Sequence, residues 1–323
     1  MNRLGLSRGL AALVFTLGAV VPSMAQDQYP SRPIRIIVPV PAGGAMDITT
    51  RLVAEKMREK LGNQQIIVEN RPGGDTVLGT RLVKEAPADG YTILSQSNGF
   101  STQPALKLEP GYDPIKDFIP LGPMVRGPIV VEVGGEQPDK TLKEFIARAK
   151  AGKLSYASPG LGSSPHFAGA MLMNKLNLDV LHVPYKGAAA AYSDVATGRV
   201  DIFFDGYAGS APYIKAGKFR ALAITGPARI PNMPDVPTLQ ELGIDITHQY
   251  WLGLIVKAGT PRDVVSRLSE ALRHATSSKD LAERFRTDGV DPSFMTPAEF
   301  GDYIGKEVVA SAKLASELKL PKE

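Results

Sequence analysis

The chain has 323 residues, no cysteine, 37 Lys and Arg against 33 Asp and Glu, and a formal net charge of +4. The lack of cysteine excludes disulfides, thiolate metal sites, a cysteine nucleophile and a lipid-modified N-terminal cysteine, so stability must come from the core. A nucleic-acid footprint needs clustered Lys and Arg; here the signs alternate along the chain, which argues against that partner.

The first residues carry Arg3 and Arg8, an apolar run from Leu10 to Val21, and then Ser23-Met24-Ala25. This is the layout of an export signal cleaved after Ala25, and the run is shorter than the ~20 residues that cross a hydrocarbon core. Cleavage would leave 298 residues with a net charge of +2 and no second run of that kind. A chain of this size buries roughly three quarters of its extended surface and commonly divides into two domains.

From Arg32 onward, short β-branched runs alternate with amphipathic stretches of helical length. Residues 34–38, IRIIV, read as a buried strand and 47–62 as a helix with Leu52, Val53, Met57 and Leu61 on one face and Gly62 as its stop. A strand at 65–69, the loop NRPGGDT, a helix at 76–86 and a strand at 91–95 follow. This rhythm predicts parallel pairing with right-handed crossovers. Pro and Gly in PLGPMVRGPIVVEV, 120–133, interrupt it, and a crossing into a second unit is expected near Val125.

There, strands at 129–133, 154–158, 178–183, 201–205 and 220–225 alternate with helices at 142–151, 165–176, 188–197 and 210–216. The chain is then expected to rejoin the first unit, with a strand at 250–259 and helices at 261–276, 279–288 and 296–318. The expected fold class is α/β with two lobes, each a mainly parallel sheet flanked by helices. Residues 26–125 and 226–323 make one lobe and 126–225 the other, with hinges near 125–128 and 225–228. Ligands of such sheets bind outside the carboxyl ends of the strands, so the loops that follow strands are the ones to read for chemistry.

The first is VPVPAGGAMD, 38–47. Gly43 and Gly44 let the backbone turn or approach a ligand closely, the helix start offers unpaired N–H groups to an anion, and Asp47 reads as the N-cap. A capped turn without ligand and an anion site both fit this loop. A phosphate loop does not, because the Lys and Ser or Thr that should follow the glycines are missing. The second loop, GLGSSP at 160–165, has Pro165 where a dinucleotide fingerprint needs its third glycine. Its Ser163 and Ser164 can cap a helix while offering hydroxyls to an anion, and Pro165 suits the first helical turn.

No Gly-x-Ser-x-Gly elbow exists, and His166 on the first turn of a helix reads as a structural hydrogen-bonding group. His182, His248 and His274 form no His-x-x-x-His or His-Glu pattern, so no metal site is expected. In the third stretch, 182–206, Tyr185, Lys186 and Gly187 follow a strand, and Asp205 ends another at the cleft side. Lys186 reads either as a counter-charge to an acidic ligand or as a solvated turn lysine. Asp205 reads either as an acceptor for a ligand N–H or O–H or as a holder of neighbouring amides. Paired carboxylates for acid–base catalysis are not evident.

The motifs VPVPAGGAMDITTRLVAEKM, VENRPGGDTVLGTRLVKEAPADGYTIL, YASPGLGSSPHFAGAML, HVPYKGAAAAYSDVATGRVDIFFD and MPDVPTLQELG, in this order, resemble the periplasmic substrate-binding proteins of tripartite tricarboxylate transporters, the Bug receptor family. The resemblance runs from about Tyr29 to the last helix. It implies a two-lobed periplasmic-binding-protein fold of the Venus-flytrap kind, without cofactor or catalysis, closing as a monomer on a small mono-, di- or aromatic carboxylate and serving integral-membrane transporter subunits. A periplasmic ligand sensor acting in signalling is the alternative.

The resemblance also implies that the ligand carboxylate is held largely by backbone groups and ordered water. Carried onto this chain, the binding positions are Val40, Pro41, Ala42, Gly43, Gly44, Met46 and Asp47, then Ser97 and Asn98 within the 95–102 loop. Gly160, Gly162, Ser163, Ser164, Tyr185, Lys186, Gly187 and Asp205 complete the set. Relatives often have an aromatic at the position of Val40, and AMD replaces commoner small or polar residues, which implies a pocket of different shape.

Overall fold

The computed structural model describes residues 29–317, 320 and 322; the expected export signal lies outside the described residues. The first strands and helices alternate as β1 (Ile34–Val38), α1 (Ala45–Arg58), β2 (Ile66–Asn70), α2 (Val77–Glu85), β3 (Thr92–Ser97) and α3 (Gly99–Leu106). Then come β4 (Phe118–Gly134), α4 (Leu142–Ala151), β5 (Leu154–Ser158), α5 (Ser164–Lys175), β6 (Val180–Pro184), α6 (Ala188–Ala196), β7 (Ile202–Gly206), α7 (Tyr207–Lys215) and β8 (Phe219–Ile224). The chain ends with β9 (Gln249–Lys257), α8 (Arg262–Thr276), α9 (Lys279–Thr287), the short β10 (Asp291–Pro292) and α10 (Pro297–Glu317).

The strands run in the order β2-β1-β3-β9-β4-β7-β5-β6, with β8 and β10 also on β4. Pairing is parallel within β2-β1-β3 and within β7-β5-β6, as the strand-helix-strand rhythm predicts. It is antiparallel wherever β4 or β9 takes part, because those two strands carry the chain between the halves.

The Pro- and Gly-rich stretch at 120–133 does not break the strand: β4 runs through it as one strand of 17 residues. Its register on β9 shifts between Pro120 and Gly122 and again between Pro123 and Val125, so two of its prolines sit at irregularities where the ladder tolerates a missing N–H. Up to Pro128 the strand pairs with β9; from Ile129 it pairs with β7 and β8.

Two cores lie on either side of this switch. One is built from β1, β3, the first part of β4, β9, α1 and α8, with Ile34, Ile36, Met57, Leu254 and Leu268 fully buried. The other joins Ile129, Val131, Phe145, Leu172 and Phe204. Leu239, Ile244 and Ile246 pack into that second core, and Ile230 and Met233 pack beside it on Val130 and Ile224. The return to the first half therefore comes at Gln249, later than the residue-226 return expected, because an apolar stretch without regular structure still finds its burial in the second half.

Where 95–102 was expected to be a loop, α3 forms in spite of Pro104. Proline cannot donate to the carbonyl four residues back. That carbonyl, on Phe100, instead accepts the Tyr112 hydroxyl at 3.1 Å, so the breaker is tolerated by a partner distant in sequence.

Candidate functional site

A cavity of about 680 Å³ opens between the two cores. The starts of six helices reach it: Gly43 to Ala45 before and in α1, Asp75 and Thr76 before α2, Asn98 and Gly99 at α3, Ser163 to Pro165 at α5, Ala188 and Ala189 in α6, and Gly206, Ala208 and Gly209 at α7. Each end carries unpaired N–H groups and about half a positive charge. At α1, α2, α3, α6 and α7 no side chain caps these groups. α4, whose start is not at the cavity, has a full capping box between Thr141 and Glu144.

The charged side chains among the lining residues are Asp75 and Asp205, and among the described residues no Lys, Arg or His lines it.

The α1 loop is held from behind. Asp47 is not the N-cap that the sequence suggests: that position falls to Gly44, and Asp47 stands three residues into the helix. From there its Oδ2 accepts the Gly43 N–H at 2.9 Å, while Oδ1 accepts Arg51 Nε and Asn70 Nδ2, both at 3.0 Å. Asn70 also donates to the Val40 carbonyl at 3.1 Å. Burial opposes the charge of Asp47, yet these donors outweigh it and hold its carboxyl below the usual range. Gly43 has φ of +85°, a left-handed turn that glycine takes without strain.

The α5 loop is held by hydroxyls and imidazoles. Ser163 Oγ accepts the His166 N–H at 3.2 Å and donates to the Gly160 carbonyl at 2.8 Å. His166 Nδ1 accepts the Gly162 N–H at 3.1 Å, and its ring stacks on His182 at 4.1 Å. His182 Nε2 meets Ser158 Oγ at 2.8 Å, and Ser164 Oγ meets His248 Nε2 at 2.7 Å. Burial, chiefly, lowers His166 to about 3 and both His182 and His248 to about 4, so all three are neutral spacers. Gly162, with φ of +76°, also leaves room for α3: a Cβ there would lie 2.8 Å from Gln103 Nε2.

Contacts from α3 cross directly to this loop. Thr102 Oγ1 donates to the Gly162 carbonyl at 2.5 Å and Gln103 Nε2 to the Leu161 carbonyl at 3.3 Å. Leu106, Phe167 and Ala315 pack together beside them. α3 is itself fixed by Glu307 of α10, which accepts from Asn98 Nδ2 (2.5 Å), from Ser101 Oγ and from Trp251 Nε1 (3.0 Å). Burial raises the Glu307 carboxyl, and these donors offset that only in part.

Of the positions named from sequence, Val40, Gly43, Gly44, Ser97, Asn98, Gly160, Gly162, Ser163, Ser164 and Asp205 line the cavity. The side chain of Asn98 is taken up by Glu307 and by the Trp251 N–H, whose bond to Oδ1 is 2.9 Å. Pro41, Ala42, Met46, Asp47, Tyr185, Lys186 and Gly187 do not line it. Met46 is 7% exposed and turned into the first core, since the second residue of α1 faces the sheet. Lys186 is exposed to solvent, and Tyr185 turns its hydroxyl to Asp194 at 2.9 Å.

Sequence reading missed Thr76, Gln103, Tyr192 and Tyr250. Thr76 sits in the NRPGGDT loop, whose closeness to the cleft was readable from its place after a strand. Gln103 and Tyr250 reach the cavity through tertiary packing alone.

An α/β chain with a cavity between its two halves, outside the carboxyl ends of its parallel strands and ringed by helix starts, has the build of a solute-binding receptor. No group of three or more metal-ligating side chains occurs among the described residues, and none of their helices is long and apolar enough to cross a membrane. Residues 49–320 match the model of the tripartite tricarboxylate transporter family receptor, and the chain belongs to that family of periplasmic receptors, which are not enzymes.

The chain is 36% identical over 300 residues to a UPF0065 protein in the tcbD-tcbE intergenic region of Pseudomonas sp. strain P51, covering 91% of this chain and 88% of the relative. It is similar in structure to the periplasmic binding protein BugD, with 33% identity and a TM-score of 0.81 over 91% of this chain and 100% of the other. It is also similar to an R. palustris protein solved with adipate (28%, TM-score 0.83, 91% and 100%) and to MatC from Rhodopseudomonas palustris with bound malate (28%, 0.79, 88% and 99%).

Proposed function

We propose that the protein binds a small carboxylic acid in the cavity between its two halves, closes on it as a monomeric two-lobed receptor, and delivers it to membrane transporter subunits. In this reading the segment 1–25 exports the chain and is removed after Ala25. The observation that carries the reading is the ring of six helix starts, five without a side-chain cap, around a cavity that no cationic side chain of the described residues lines. Such an arrangement suits a compact anion and permits its release, because no fixed counter-charge holds it. The adipate and malate complexes of the two similar proteins support a carboxylate of this size.

Gly44→Val and Ser163→Ala test the two loops from opposite sides. At Gly44 the backbone is extended and a Cβ would meet nothing closer than the Pro41 carbonyl at 3.9 Å, so valine is accommodated by the fold and intrudes on the ligand. Thermal-shift screening of mono-, di- and aromatic carboxylates identifies ligands, since saturation at ~100 times Kd adds ~2.7 kcal/mol. Calorimetry then reads a Kd at least about tenfold weaker in Gly44→Val, and weaker also in Ser163→Ala. Unchanged Kd in both variants, or no shift across the panel, would remove the proposal.

A further inference from the structure

The part of the cavity wall formed by the second half carries a chemistry that anion-holding loops do not use. Asp205, at the end of β7, lines the cavity, and Tyr192 of α6 donates its hydroxyl to Asp205 Oδ2 at 3.0 Å. β7 runs antiparallel to β4 with Val130 opposite Asp205 and Glu132 opposite Phe203. Glu132 and Asp205 therefore stand as diagonal neighbours on one face of the sheet. Glu132 has no exposed surface, and no donor meets its carboxylate oxygens in full hydrogen-bond geometry, although the Ser210 hydroxyl of α7 stands close enough to favour its charged form. Ser210 of α7, which faces it, donates to the Gly206 carbonyl at 3.3 Å.

The groups that face the two acids are Tyr192 from α6, Ser210 from α7 and Tyr250 from β9, and none carries positive charge. α7 sits close over the pair, for a Cβ on Gly209 would lie 2.8 Å from Asp205 Oδ2. A buried carboxyl with so little hydrogen bonding and no cation beside it is costly, and such costs concentrate where a site uses them.

We propose that Asp205, with Glu132 behind it and Tyr192 beside it, forms a distal subsite that selects a ligand carrying an N–H donor, ammonium or amide, in addition to its carboxylate. This rests on the carboxylate-receptor reading and names the ligand class within it. A second carboxylate brought to this wall meets a like charge with no cation to separate them, so one of the two must take up a proton. An N–H donor finds an acceptor instead, and an ammonium also neutralises the pair. The electrostatics agree. Burial first, then repulsion from Asp205, holds the Glu132 carboxyl well above the usual range despite Ser210, and burial raises Asp205 to about 7 despite the Gly206 N–H and Tyr192.

The test is calorimetry on the whole mature chain with three matched series of four to six carbons: α,ω-diacids, their half-amides, and ω-amino acids. At about pH 8 the nitrogen-bearing acids should bind at least ~10-fold more tightly than the matched diacid. Asp205→Asn should bring the series to within about threefold, Glu132→Gln should shrink the preference in part, and about pH 5.5 should narrow it in the wild type. Binding by both amide and amine marks the N–H as sufficient; binding by the amine alone marks a zwitterion. A diacid that binds as tightly as its partners at pH 8 would overturn the inference, as would an order that neither variant changes. Plain monocarboxylates binding while no nitrogen-bearing acid does would sink this inference alone. Failure of every carboxylate would remove the receptor reading, and this inference with it.

Discussion

Asp47 lies outside the cavity, yet its removal should weaken ligand binding. It is 3% exposed and ties the Gly43 N–H, Arg51 and Asn70 together. Hydrogen bonds to a charged group contribute ~1.5–3 kcal/mol each, and the bond to half-exposed Arg51 counts for less than the other two. Asp47→Ala should therefore destabilise the fold by ~3–6 kcal/mol, lowering the thermal midpoint by roughly 5–10 °C for a chain of this size. The variant also frees Ala42 to Gly44, exposed residues whose backbone would have to be ordered again by the ligand. At ~1 kcal/mol for each of these three residues, a cost of ~3 kcal/mol weakens Kd by about 100-fold. Denaturant melts and calorimetry on the same preparation separate the two effects. Asp47→Asn, which keeps an acceptor for Gly43 without the charge, should fall between wild type and alanine. A destabilised Asp47→Ala protein with unchanged Kd would refute the reasoning, because the loop would then hold its shape without this anchor.

Two further outcomes are expected. Thr102→Val removes the 2.5 Å bond from α3 to the Gly162 carbonyl; small-angle scattering of the ligand-free protein should show a larger radius of gyration, and Kd should weaken about fivefold for ~1 kcal/mol. Unchanged scattering and Kd would show that this bond does not hold the halves together. His166, His182 and His248 have folded pKa values of about 3, 4 and 4, below the unfolded value of ~6.5. Their contribution to stability is therefore complete above pH ~6.5 and lost as pH falls toward ~4, where the unfolded chain binds protons that the native state refuses. The raised carboxyls of Glu132 and Asp205 act in the opposite sense, so the variant comparison decides: His182→Gln should flatten the fall in urea midpoint between about pH 6.5 and 4.5. An identical slope in the variant would count against the assignment.

The regular elements were legible because each carries its own period. IRIIV and LSYAS coincide with β1 and β5, and the helix expected at 142–151 coincides with α4. What escaped depends on partners remote in the chain. α3 survives its proline because Tyr112 satisfies the Phe100 carbonyl, and no local signal announces that. Residues 230–246 contain no periodic segment, so their burial in the second half was invisible. In the candidate cavity, the glycines and serines after strands were readable as backbone features. The direction of Met46 was not: it depends on α1 beginning at Ala45, and a shift of two residues at a helix start moves a side chain by more than half a turn. Asp205 was readable as an acid at a strand end, whereas Glu132 looked like one residue of an apolar strand and gained meaning only from its register with β7.

The path of the chain through the sheet also dictates an order of assembly. The second core draws on residues 129–246, one stretch of chain within which its strand pairings close, as Ile129 with Gly206 and Val130 with Ile224 do. The first half has its β3 and β4 edges bridged by β9, and residues 98–248 intervene between β3 and that strand. Closing so long a loop is slow relative to local pairing. The second half is thus able to form while β3 and the early part of β4 still present open edges, the kind that invite pairing with another chain. Arrival of β9 seals both edges at once, so its apolar run, WLGLIV, acts as the closing piece of the whole molecule, and a chain interrupted before Gln249 would retain one organised half attached to an adhesive one.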